Sequence, residues 1–269
     1  MELKSLTTKQ HVELTARLLS LAKNILSENK ELKYHDAGFE YTSIMICFYS
    51  HIISSVDTIL KLHKLSPNWF PTTNAYIILR SIFEINIVAH YISKDPCKRA
   101  ISYIEYGKIL NKKRFDAILK HKETKREPWR RFIEETLKHE YYPKQSKINE
   151  DYNEVKDKFT FVNKRGKKKM FPNWTNKSLK EMAKEVNHEI EYDLFYSDLS
   201  NFTHGSVKLA NRFLKIKEGE PLWSMRSDET DVGFIFRYAA TFLSCFLSLF
   251  GKEFKVDIDK EIESCWNFS

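Results

Sequence analysis

The sequence predicts an all-α protein: a bundle of long antiparallel helices with an irregular, basic insertion. Three observations predict it. Glycine and proline number only seven each in 269 residues, so tight turns are scarce. Apolar residues recur at helical spacing over long stretches, and no stretch shows the period of two of a half-buried strand. A 42% hydrophobic and 14% aromatic content suffices for one large core, so a single helical domain over 1–269 is expected.

The helices follow in order. Thr8 can cap the first, to about Ser27, with Val12, Leu18, Leu19, Ala22, Ile25 and Leu26 as its stripe. Asp36 can cap the second, to about Leu65, on Ile44, Met45, Phe48, Ile52, Val56, Ile59 and Leu60, with His51 and Asp57 near the same side. Pro67 to Pro71 breaks it. The third, Thr73 to Asp95, is apolar on all sides, the pattern of a helix buried on every face. Asp95-Pro96 then supplies an N-cap and a proline for a fourth, to about His121. Ala100, Tyr103, Ile104, Ile118 and Leu119 are expected inward there, and its second half is basic.

From Glu123 to Pro172 the pattern weakens, and this stretch is expected as the insertion. It has room for a helix from Pro128 to about Glu140, on Trp129, Phe132, Ile133 and Leu137, and a shorter one over Glu150 to Phe159. Lys164 to Lys169 reads as a mobile loop, either merely solvated or in contact with phosphate. Thr175 or Asn176 can cap a short helix with Leu179, Met182 and Val186. Ile190 to Thr203 is helical again, with Phe195, Tyr196 and Leu199 inward, and stops at His204-Gly205. Asp228 caps a last long helix, Val232 to about Phe250, and Ile258 to Trp266 forms a final turn.

Composition narrows the function. No G-x-G-x-x-G or G-x-x-x-x-G-K occurs, against a nucleotide-binding α/β fold. The net charge of +8 and pI near 9.1 lean toward nucleic acid or an anionic surface, although a lysine-rich genome produces the same balance. Cys47, Cys97, Cys245 and Cys265 form no C-x-x-C pair, so neither a zinc site nor any other metal or cofactor is expected. Reduced cysteines and an N-terminus without an apolar signal core point to the cytoplasm. The run Phe234 to Phe250 is shorter than the roughly 20 residues of a span and carries Arg237, so it is expected as a buried helix, with no membrane partner.

Two segments could carry chemistry. Arg80 and Glu84 lie one turn apart inside the third helix. A charge in a core costs several kcal/mol, roughly, unless it is paired, so something must face them. The candidate is Tyr192 to Ser206, where Tyr192, Tyr196, Ser200 and Thr203 share a helical face and His204 stands at the helix exit. A helix C-terminus favours the imidazolium, and an arginine can hold a phosphate beside it. Arg80, Glu84 and His204 are thus sufficient for metal-independent RNA cleavage through the ribose 2′-hydroxyl. Ser200 and Tyr196 would line the substrate, and Lys112, Lys113, Arg114, Lys167, Lys168 and Lys169 would add phosphate contacts. The alternative is a non-catalytic helical binding module whose buried Arg/Glu/His cluster fixes helix register. His188, Glu189, Glu191 and Asp193 spread around a helix and do not converge as metal ligands.

The run ILRSIFEINIVAHYISKDP, followed far downstream by YSDLSNFTHGS, resembles a bacterial helical family of unknown function, domain 5677, over roughly Ile44 to Phe250. In that family an arginine and a glutamate stand one turn apart, and a serine–histidine element LS-x-x-x-HG follows; Arg80, Glu84, Ser200 and His204 match those positions. Some relatives look akin to the HEPN superfamily, whose active members are ribonucleases of toxin and phage-defence systems and commonly dimerise. The resemblance implies RNA and a second copy as partners, whereas in the binding-module reading the basic face would recognise a partner protein or nucleic acid. That superfamily's arginine–histidine spacing is met by Arg114 and His121, but Phe115 replaces its usual polar residue and the spacing is expected by chance in so basic a chain. Arg80 with His204 is the better pair, although the two lie on separate helices.

Overall fold

The structure is a computed structural model that describes residues 6–28, 35–67, 70–139, 143–203, 214–217, 220–223 and 229–268, with the backbone alone at 26, 28, 201–203, 214–217 and 220–223. The helices are α1 (Thr8–Glu28), α2 (Phe39–Leu65), α3 (Thr72–Ser93), α4 (Pro96–Lys120), α5 (Glu127–Lys138), α6 (Gln145–Val155), α7 (Leu179–Glu185), α8 (Glu189–Glu191), α9 (Ser197–Thr203), α10 (Glu229–Phe254) and α11 (Asp259–Trp266). The chain is an all-α helical bundle.

Two short antiparallel hairpins correct the strand-free reading. Strands β1 (Thr160–Val162) and β2 (Lys168–Met170) pair with Thr160 opposite Met170. Strands β3 (Leu214–Lys217) and β4 (Glu220–Trp223) pair with Leu214 opposite Trp223. Ladders of three or four residues are too short to display a period in sequence. Gly166 takes a left-handed φ of 71° in the first hairpin's turn, where its N–H donates to the Asn163 carbonyl at 2.9 Å. Lys168 and Lys169, expected in a loop, therefore stand on a strand.

The chain divides into two compact units, Met1–Pro96 with Leu179–Ser269, and Cys97–Ser178. In the first, α1, α2, α3 and α10 enclose a core that includes Leu14, Met45, Tyr49, Ile52, Leu79, Phe83, Phe236 and Phe246. The contacts fix the helix directions. Thr15 Oγ1 donates to the Phe236 carbonyl at 3.0 Å, and Thr8 Oγ1 reaches the Glu229 carbonyl at 3.5 Å, so α1 and α10 run side by side in one direction. Tyr76 meets Asp231 and Phe83 meets Phe242, so α3 runs the same way. Tyr41 meets Glu253 and His63 meets Phe236, so α2 runs against the others. A short loop suffices between antiparallel α2 and α3, whereas parallel α3 and α10 need a long return. Residues 94–228 supply it.

Several side chains depart from the expected faces. The second helix starts after Gly38, not at Asp36, and no side chain caps it. His51 is exposed and its Nε2 meets Ser81 Oγ at 3.1 Å, while Asp57 is held by Lys23 and Lys61. Helices α2, α3 and α10 are long and apolar enough to cross a membrane by length and composition; their apolar faces meet in this core.

In the second unit α4 buries Ala100, Tyr106, Ile109 and Phe115. Ile104, expected inward, is exposed, and Tyr103, Ile118 and Leu119 are half-buried. The Tyr106 hydroxyl lies within hydrogen-bond distance of the Phe171 and Pro172 carbonyls, and its ring meets Phe159 edge-on. Only Ile133 of α5 is buried; Trp129 and Phe132 are exposed. The stretch 123–172, expected as an insertion, falls within this unit together with α4.

Candidate functional site

The third helix is not enclosed on every side. Ile77 is exposed and Arg80, Glu84, Ile85 and Val88 are half-buried, so α3 keeps one partly open face. Arg80 lies on it. Its Nε donates to Glu84 Oε1 at 2.8 Å, and its Nη2 donates to the Tyr196 hydroxyl at 3.0 Å. The guanidinium carbon lies 5.1 Å from the Tyr196 ring centre, a cation–π contact. The side chain of Arg80 is 17% exposed and that of Glu84 38%. Burial works against the guanidinium charge, yet the Glu84 carboxylate and the Tyr196 phenol outweigh it and raise its pKa above the ordinary value. The arginine is held as a cation.

Tyr196 reaches this position through a π-helical segment, Tyr192–Tyr196, between α8 and α9. A π turn takes in an extra residue and rotates the helix beyond it. Here it stacks Tyr192 on Tyr196, with centroids 4.6 Å apart at 17°. Leu194 and Ile190 face water while Leu199 is fully buried. Lys180 of α7 pairs with Asp193 at 2.7 Å and lies 5.9 Å from the Tyr192 ring. Burial is the largest cause raising the Tyr192 pKa, followed by the neighbouring Tyr196 phenol. Lys180 stands thirteen residues before Asp193, and no sequence period links them.

The structure thus brings Arg80, Glu84 and Tyr196 together. Ser200, on α9, is half-buried, and among the described residues it makes no hydrogen bond to Arg80 or Glu84. His204 lies outside the described residues. The basic residues separate. Lys112 pairs with Asp116, and Lys113 Nζ donates to the Tyr106 hydroxyl at 3.4 Å. Lys167, Lys168 and Lys169 are exposed at the first hairpin. Arg114 lines a groove between α4 and α5, and His121 lines the same groove.

No group of His, Cys, Asp and Glu that could hold a metal ion occurs among the described residues. His188 and Glu191 engage elsewhere: His188 Nδ1 lies 3.5 Å from Glu191, and its ring meets His90 at 4.7 Å. Burial is the main cause that depresses the His90 pKa, to about 4, so its imidazole is neutral near pH 7.

A half-buried arginine, clamped by a carboxylate one turn away and by a tyrosine from a π turn, forms the polar centre of an all-α protein. The model for Family of unknown function (DUF5677) matches residues 42–221, two thirds of the chain, and the protein belongs to that family. The match includes Arg80, Glu84, Tyr196, Ser200 and His204 and ends before α10, short of the Phe250 limit expected from the sequence. No curated protein and no solved structure matches the chain.

Proposed function

We propose that this is a HEPN-like RNA-cleaving or RNA-binding protein of bacterial toxin or phage-defence type, acting in the cytoplasm by a metal-independent acid/base mechanism. The observation that supports it is the Arg80 guanidinium, kept charged at the partly open face of α3 beside a π turn. Such turns are frequent at functional sites. Arg80 binds the scissile phosphate and stabilises the charge that develops on it. Glu84 orients Arg80 through Nε, and Tyr196 orients it through Nη2. His204, next after α9, takes the 2′-hydroxyl proton or protonates the leaving oxygen. Ser200 and Tyr196 position the substrate.

A second reading is favoured by the same clamp. Glu84 and Tyr196 already engage Arg80, which suits a register-fixing contact in a non-catalytic binding module. Incubating purified protein with single-stranded RNA in chelator decides between them. Cleavage by the wild type, abolished in His204→Ala with an unchanged helical circular-dichroism spectrum, is the expected result. Wild-type protein that leaves RNA intact, or a His204→Ala variant that cuts normally, would remove the catalytic reading.

A further inference from the structure

The second unit carries a groove that the polar centre does not use. Helices α4 and α5 fold back on each other through a tight turn: the His121, Lys122 and Thr124 N–H groups donate to the carbonyls of Ile118, Leu119 and His121. Between the helices lies a cavity of about 570 Å³. Arg114 and His121 line it from α4, Arg126 from the turn, and Trp129, Phe132 and Ile133 from α5. Ile133 is buried at its floor, whereas Trp129 is 59% and Phe132 52% exposed. The two rings meet edge-on at 6.2 Å, which leaves indole surface open. Single exposed aromatics are ordinary; two side by side in a cavity rimmed by guanidinium groups are not.

The charges around the groove are unbalanced. Asp116 is taken by Lys112, Glu127 by Arg130 and Glu135 by Arg131. Among the described residues neither Arg114 nor Arg126 has a carboxylate within ion-pair distance. Exposed Lys120, Lys122 and Lys125 carry the positive charge past the groove along the turn, with Glu123 the acid among them. An anionic ligand with flat aromatic groups fits this lining. The charge continues beyond the space of one nucleotide, which favours a strand over a free mononucleotide.

We propose that the α4–α5 groove binds single-stranded nucleic acid, with one base stacked on Trp129 and backbone phosphates on Arg114 and Arg126. Stacking on an aromatic face is tolerant of sequence, and the guanidinium groups displace counterions from the phosphates. His121 adds a hydrogen-bond donor at the rim. Binding here is separate from the chemistry proposed at the polar centre and needs neither Arg80 nor His204.

The test is fluorescence anisotropy of a labelled short 2′-O-methyl oligouridylate, which has no free 2′-hydroxyl to attack the phosphate, with the full chain. Trp129→Ala weakens binding about ten-fold or more, and Trp129→Phe keeps most of it, which separates lost stacking from a lost fold. Arg114→Gln with Arg126→Gln lowers the slope of log affinity against log salt by about 1.4, the loss of two phosphate contacts on a single strand. Unchanged affinity in Trp129→Ala, or an unchanged slope in the double variant, would overturn the proposal. So would free UMP displacing the strand at the strand's own affinity, or polyglutamate of equal charge competing as well as RNA.

Discussion

Replacing Arg80 by methionine separates chemistry from architecture, because the structure makes the two readings differ in size. Methionine keeps the volume and removes the charge. The lost bond to Glu84 is charge-assisted, normally about 1.5–3 kcal/mol. The Glu84 side chain is 38% exposed and rehydrates, so about 1 kcal/mol is the expected loss there. The bond to the Tyr196 hydroxyl contributes about 1 kcal/mol more, and the ring contact about 0.5–1. Against this, a guanidinium that is only 17% exposed no longer has to be held out of water, which returns about 2 kcal/mol of a penalty that reaches several for a fully buried ion. For these contacts the net cost is about 1 kcal/mol, a fall of about 2–4 °C in melting temperature. If Arg80 stabilises charge on a phosphate, RNA cleavage falls about 100- to 1000-fold in the same variant. Urea unfolding and cleavage of a labelled RNA on one preparation measure both. A stability loss of about 4 kcal/mol or more would refute the energetic argument and favour the architectural role. Full cleavage in a folded Arg80→Met protein would refute the catalytic one.

Packing and titration give three further expected outcomes. In Gly251→Ala the new methyl lies 2.8 Å from the Val256 carbonyl oxygen and 2.7 Å from Ile258 Cγ1. The overlap outweighs the helix-propensity gain of about 1 kcal/mol, and a net loss of about 1–2 kcal/mol is expected in urea unfolding. Gly233→Ala meets chiefly the Thr8 hydroxyl at 2.9 Å, which can rotate away, so its stability changes by less than about 0.5 kcal/mol. The His90 pKa is depressed to about 4, so the unfolded chain binds its proton first. Stability is full above about pH 6.5 and falls as acid approaches pH 4, by up to about 3 kcal/mol. Lys94, His188 and Glu191 face this ring, and His11 and His63 are depressed as well. His90→Gln should therefore flatten the slope of unfolding free energy between pH 6.5 and 4 without abolishing it, and an unchanged slope would show that His90 is not buried as a neutral ring.

The long helices were legible because amphipathic periodicity reports burial directly. Their limits fall within a few residues of those read from Thr8, Pro67 and Pro96. Single side chains were less legible wherever a partner comes from far along the chain. Arg80 and Glu84 announced a need for something opposite, but a sequence cannot show that the face is partly wet. The π turn at Tyr192–Tyr196 leaves the same apolar spacing as an ordinary helix until the extra residue is counted in three dimensions. Trp129 and Phe132 looked like core because α5 is amphipathic; no described segment covers them. The hairpins were invisible because their strands are three or four residues long. The direction of α10 beside α1 is not written in any local pattern.

That shared direction has a consequence for synthesis. Thr15 waits for a carbonyl 221 residues further on, so the core cannot close until α10 has left the ribosome. At about 5–20 residues per second the delay is about 10–40 s. Through that interval the greasy sides of α2 and α3 that meet α10 lack their final neighbour. A fragment trimmed to 42–221 would keep every residue of the polar centre and lack α10, which closes the floor beneath it.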